Sequence, residues 1–179
     1  MNTSSEQVLA ILKPALRKVC WHVSVGGCTL PTFSLAIGGK AKRDRALRNP
    51  AQPVAFRKYE PEVSLFVWCA WRLDRGDLVE ASNDGSASEI TRGLKRLVGK
   101  SVVKIEITPP AWDLALHFDD CFRLTVFCNH AGKKPSFKGN WQAKVQHTRV
   151  FVGPGTKLEV AHSDMADNRL KRQQWSAGR

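Results

Sequence analysis

Asp113, His117, Asp119 and Asp120, followed by Cys121, Cys128 and His130, form the densest group of side chains that could act as acids, bases or metal ligands. If Asp113 and His117 lie on a strand they share one face, because side chains alternate with a period of two. Two carboxylates then stand at the strand's end, which makes the group a candidate for acid/base chemistry or for zinc. Against this, zinc sites favour a close pair such as C-x2-C, whereas six residues separate Cys121 from Cys128. Asp119-Asp120 also suits a plain hairpin turn. The chain has no glycine-rich phosphate loop, nucleophile elbow or spaced metal motif. The expectation is no catalytic residue, no metal and no cofactor, with a metal-dependent or acid/base enzyme at Asp113, His117 and Asp119 kept as an alternative.

The remaining reactive side chains read as structural. Cys69 and Cys128 fall on apolar runs, where a free thiol packs as a small hydrophobe. His22 and His147 have no partner recognisable in sequence, and Asn83-Asp84-Gly85 reads as a turn.

The element that carries Asp113 and His117 belongs to the best-patterned stretch of the chain, Leu97 to Phe127. Val103, Ile105 and Ile107, then Leu114, Leu116 and Phe118, then Phe122, Leu124 and Val126 alternate with polar residues. That pattern predicts a three-stranded meander with one face on a core. Before it, Ser4 or Ser5 caps a helix through Val8, Leu9, Ile11, Leu12 and Leu16 that Pro14 interrupts. Strands are expected over Val19 to Val25, over Thr32 to Ile37 closed by Gly38-Gly39, as one long central run over Val63 to Leu73, and over Leu78 to Ala81. Ser86 or Ser88 caps a second helix through Ile90, Leu94 and Leu97, and Trp141 to Val145 pairs with Thr148 to Val152 as a hairpin. The fold class is α+β, predominantly antiparallel sheet, as one domain over residues 1–160 with a poorly ordered basic tail over 161–179.

Charge is unevenly placed. Of 28 Lys and Arg against 16 Asp and Glu, giving +12, seven basic residues (Lys40, Lys42, Arg43, Arg45, Arg48, Arg57 and Lys58) lie between Lys40 and Glu60. Asn49-Pro50 and Pro53 argue for an irregular loop there. Lys133, Lys134, Lys138, Lys144 and Arg149 form a second basic segment without an acid. Five cysteines and no apolar leader segment suit a reduced cytoplasmic setting, and no apolar run approaches the ~20 residues that span a bilayer. Of six tryptophans, most are expected in the core, with Trp112 and Trp175 at the surface.

The chain also resembles itself. "FSLAIGG" (Phe33 to Gly39) lies over "LALHFDD" (Leu114 to Asp120), "SLFVWCAW" (Ser64 to Trp71) over "RLTVFCNH" (Arg123 to His130), and Trp71 and Trp141 open the next strand in each half. Half-repeats over 4–82 and 86–155 would make a pseudo-two-fold domain of two four-stranded antiparallel units.

"CAWRL" (Cys69 to Leu73), the Ser82 to Asp84 loop, "LVGKSVVKIEI" from Leu97, "WDLALHF" and the Trp141 strand ending near Gly153-Pro154 together carry a further likeness. Over Leu16 to Gly155 the chain resembles a group of uncharacterised bacterial small β-rich domains of unknown function, some of them immunity-like or defence-accessory proteins. The resemblance implies no catalytic residue, and the two basic segments and the tail depart from it.

The function expected is that of a non-enzymatic binding protein. Lys40, Lys42, Arg43, Arg45, Arg48, Arg57, Lys58, Lys133, Lys134 and Lys138 would steer a partner protein with an acidic surface, and Trp112 would anchor it. Nucleic acid bound by the same loops is the alternative partner. Membrane insertion is not expected, and the oligomeric state is not specified by the residues.

Overall fold

A computed structural model describes residues 4–26, 32–129, 139–155 and 157–162. Its two longer helices start as their sequences require. Ser4 caps α1 (Ser5–Leu12), where Gln7 N donates to Ser4 Oγ at 3.2 Å and Ser4 N donates to Gln7 Oε1 at 2.9 Å. Ser86 caps α3 (Ala87–Lys95) through the same reciprocal box with Glu89. Each box satisfies two backbone donors that a helix start leaves open. Pro14 falls in a 3-10 turn, Lys13–Ala15, that ends α1. Each helix buries one stripe, Val8 and Leu12 of α1 with Ala15 of the turn that follows it, and Ile90 and Leu94 of α3 with Leu97 just beyond its end.

The strands are β1 (Cys20–Val25), β2 (Phe33–Lys42), β3 (Tyr59–Val67), β4 (Ala70–Arg75), β5 (Leu78–Ser82), β6 (Val102–Thr108), β7 (Asp113–Phe118), β8 (Phe122–Phe127), β9 (Trp141–Val145), β10 (Thr148–Val152) and β11 (Leu158–His162). They form two antiparallel sheets, a six-stranded one in the order β1-β2-β3-β9-β10-β11 and a five-stranded one in the order β5-β4-β8-β7-β6. The fold is α+β, and the expected meander is present as β6, β7 and β8.

Several sequence expectations need correction. The run from Val63 to Leu73 is not one strand. It breaks at Trp68-Cys69, whose two N–H groups both donate to Asn140 O at 2.9 and 3.2 Å, and the chain passes from one sheet to the other. The halves are therefore not two four-stranded units, because each sheet takes strands from both. Gly38-Gly39 does not end β2 but forms a bulge within it, with Gly38 at φ 82 and the register shifting between Ile37 and Lys40. Bulges at Cys20/His22 and Val102/Lys104 reverse the facing of the residues before them. Cys20 and Val102 are buried, while Val103 is 56% and Val19 44% exposed, opposite to simple alternation. The polar C-terminal segment starts later than expected, since β11 pairs with β10 as far as His162; residues 163–179, with Trp175, lie outside the described residues.

The inner faces of the two sheets meet in one apolar cluster. Phe33, Leu35, Leu65, Val67 and Trp141 come from one sheet, and Trp71, Leu73, Leu116, Leu124 and Val126 from the other. Phe33 and Trp71 join the sheets edge to face, with centroids 5.1 Å apart at 75°. Helix α1 packs on β6, β9 and β10, and α3 on β5 and β1, so each helix bridges the two sheets.

Candidate acidic-partner interface

The segment 40–58 is only partly the irregular loop its prolines suggest. Lys40 to Lys42 extend β2, Tyr59 and Glu60 begin β3, and α2 (Val54–Lys58) is a five-residue helix that starts after Pro53. The segment is an arm at the tip of the β2–β3 hairpin. Leu47 N and Arg43 N donate to Arg57 O and Lys58 O, both at 2.9 Å, and Arg43 Nε donates to Tyr59 O at 3.0 Å.

The arm is held to β1 by aromatic and amide contacts. Phe56 of α2 lies 4.5 Å from the His22 ring and 6.1 Å from Trp21, with the Arg43 guanidinium 5.7 Å over Phe56 and Lys40 Nζ 4.7 Å over Trp21. Gln52 Nε2 donates to Ser24 Oγ at 2.7 Å, which leaves Gln52 Oε1 to accept from His22 Nε2 at 3.1 Å. Burial under the arm lowers the His22 pKa, the Gln52 bond opposes this, and the Lys95 charge adds to it. The indole Nε1 of Trp21 and Nε of Arg57 are buried without a hydrogen-bond partner.

With the arm docked, most of its charge points to solvent. Lys40, Lys42, Arg45, Arg48 and Lys58 are exposed, and with half-buried Arg57 they make no ion pair among the described residues. Neighbouring acids are mostly neutralised. Glu60 pairs with both Arg43 (3.6 Å) and Lys144 of β9 (2.9 Å), and Glu62 pairs with Lys18 at 3.4 Å. Exposed Asp44, between Arg43 and Arg45, has no ion pair among the described residues. Lys144 of the second basic segment thus joins the first segment through Glu60. Lys133, Lys134 and Lys138 lie outside the described residues.

The described members of the Asp/His group do not form one site. Asp113 and Asp119 stand at opposite ends of β7, and Cys121 and Cys128 flank opposite ends of β8. Asp113 Oδ1 accepts from Cys128 N at 2.7 Å and Asp119 Oδ2 from Ser101 N at 3.0 Å, while Asp120 pairs with Lys100. The second oxygen of Asp119 is buried without a hydrogen-bond partner. His117 Nε2 meets Glu106 Oε2 at 2.5 Å across β6–β7, and Lys104 with His117 holds the Glu106 carboxyl down at about 2. Cys128 Sγ donates to Trp112 O at 3.2 Å, and its thiol is pushed up by Cys69 and by burial. His130 lies outside the described residues, and no group of three or more metal-binding side chains occurs among those described.

Trp112 is half-buried against the core rather than displayed, with φ 66, and its carbonyl accepts from the indole of fully buried Trp141 at 2.8 Å. Of the tryptophans expected in the core, Trp71 and Trp141 are there, whereas Trp21 and Trp68 lie half-buried on the outer side of the six-stranded sheet. The parity of Phe66 and Trp68 against Val63, Leu65 and Val67 was the sequence signal for that. Phe56 and Gln52 carried no comparable signal.

No family model, curated protein or solved structure matches the chain. Among the described residues no helix is long and apolar enough to cross a membrane.

Proposed function

We propose that this protein is a non-enzymatic binding protein that engages an acidic partner through the arm and the adjoining outer face of the six-stranded sheet. One observation carries it: the arm is pinned by Phe56 and Gln52, so Lys42, Arg45, Arg48 and Lys58 project from a fixed base while Glu60 and Glu62 are already paired. Fixed, unneutralised cations steer anionic partners and lose less entropy on binding than a free loop would. An immunity-like or defence-accessory role is supported by the sequence resemblance alone, and a cytoplasmic setting by the cysteine usage alone.

We also infer that the chain is an internal duplication in which the arm is an addition. The capping boxes at Ser4 and Ser86 and the bulges at Cys20/His22 and Val102/Lys104 occupy matching places. In one sheet Leu35 faces Leu65 and Val67 faces Trp141; in the other Leu116 faces Leu124 and Val126 faces Trp71. The link between β2 and β3 carries the arm, whereas the matching link between β7 and β8 is the tight turn Asp119 to Cys121. What departs from the repeat is therefore the basic surface.

The test is fluorescence anisotropy of two labelled polyanions, polyglutamate and an oligonucleotide, titrated with the intact protein at low salt. Binding of at least one, weakening as salt rises, is expected. Failure to bind either at low salt removes the acidic-partner reading.

A further inference from the structure

The row of side chains crossing the outer face of the six-stranded sheet starts under the arm, passes an aromatic group on β3 and β10, and ends at Glu159 of β11, which pairs with Lys157. Strand register places Ser24 opposite Ser34, Ser34 opposite Phe66, Phe66 opposite Gln142 and Gln142 opposite Phe151. Four strand spacings make the track from Ser24 to Phe151 about 19 Å long. Beside it Trp68 lies 4.4 Å from Phe66 and 6.3 Å from Phe151, all three half-buried. The next row, His22, Ala36, Ser64, Lys144, Arg149, runs parallel and brings Arg149 and Lys144, the latter paired with Glu60, alongside the rings. Arg149 is exposed and, among the described residues, unpaired.

We propose that this face binds single-stranded nucleic acid, with bases on Phe66, Trp68 and Phe151 and the backbone following Arg149, Lys144 and the arm's Arg45 and Arg48. The assignment rests on the acidic-partner reading above and names the partner class. An acidic protein surface would satisfy the cations and one aromatic anchor, whereas three clustered rings beside cations offer the repeated flat faces that successive bases use. Bases supply flat faces that stack on rings in any sequence, and a phosphate backbone supplies the regular negative charge. A duplex hides its base faces, so the rings select for a single strand.

The test measures anisotropy of a labelled thymidine-only DNA strand of about twelve nucleotides, the size range of such grooves, beside the matching duplex and labelled polyglutamate. Wild type is compared with Phe151→Leu and Trp68→Leu, each checked for an unchanged thermal transition. The two substitutions sit on different elements, so one remains informative if the other does not fold. The single strand is expected to bind more tightly than duplex and to weaken about 5- to 100-fold on loss of a stacking ring, with polyglutamate binding unchanged. Equal binding of single strand and duplex, or single-strand binding unaffected by either substitution, overturns the proposal. If polyglutamate binds and the single strand does not, the proposal fails while the acidic-partner reading stands; if neither binds, both fail.

Discussion

Val19 and Ser101 form an isolated antiparallel bridge, each one residue before a strand, β1 and β6 respectively. The hydrogen bonds around it are reciprocal. Cys20 N donates to Lys100 O and Val102 N to Lys18 O, at 2.8 and 3.0 Å; Gly99 N donates to Cys20 O and Arg17 N to Val102 O, at 2.8 and 2.7 Å. Arg17 and Gly99 both hold positive φ, 63° and 89°. This junction ties the segment before β1 to the segment before β6.

Gly99→Ala is expected to destabilise the protein by about 1–2 kcal/mol, the cost of a side chain in left-handed backbone. No atom lies within 4 Å of the position a Cβ would take there, so the effect comes from the backbone alone. Urea denaturation reads it as a lower midpoint at unchanged slope. An unchanged midpoint would show that the junction tolerates another geometry.

Gly93 allows α3 to lie against β5, because an added Cβ would come 2.4 Å from Ala81 Cβ and 3.3 Å from Glu80 O. Gly93→Ala gains about 1 kcal/mol of helix propensity but meets overpacking of about 1–3 kcal/mol. A net loss in thermal stability is expected. A gain would mean that the helix and strand separate at no cost.

The His22 pKa, lowered in the folded state by burial beneath the arm, gives a pH dependence of defined sign. The unfolded chain takes up the proton first, at its ordinary value near 6.5. Stability is therefore full above that pH and falls as pH drops below it. His22→Gln should flatten the slope of the urea midpoint between about pH 7 and 5, the region around an unperturbed histidine. A slope unchanged by the substitution would contradict the docked arm.

Thiol reactivity should separate the cysteines. Cys121 is exposed at the β7–β8 turn, while Cys20 and Cys69 are buried, with the Cys20 thiol pushed up to about 12 by burial. Site-resolved alkylation of the native protein should modify Cys121 and leave Cys20 and Cys69 until urea unfolds the chain. Rapid labelling of Cys20 without denaturant would conflict with the core described.

How much of this was legible in sequence differed by element. The meander was readable because one face of β7 and β8 is buried throughout, which forces Leu114, Leu116, Leu124 and Val126 into alternation. Parity failed at Val19 and Val103 because a bulge adds one residue and reverses facing, and neither bulge contains a glycine to announce it. The break at Trp68-Cys69 was hidden for a similar reason, since two apolar residues form the crossover and Asn140, distant in sequence, fixes it. β11 escaped notice because none of its residues is fully buried, so Leu158 to Val160 gave no strand pattern and Ala161 and His162 read as tail. Among site residues, the cations were visible as composition. What fixes them was not, because the Phe56–His22 and Gln52–Ser24 contacts are purely tertiary.

The most direct measurement compares the affinity of heparin, a sulfated polyanion, for the wild-type protein, for Arg45→Glu/Arg48→Glu, and for Lys13→Glu/Arg123→Glu. The two double variants change net charge equally, and all four positions are exposed, but only the first pair lies on the arm. Tight binding by wild type, a loss of tenfold or more in the arm variant and little change in the other is expected if the arm is the docking surface, since about 1.4 kcal/mol is a tenfold change. Equal loss in both variants would mean that overall charge, and not the arm, binds the polyanion, and would contradict the assignment of function to this surface.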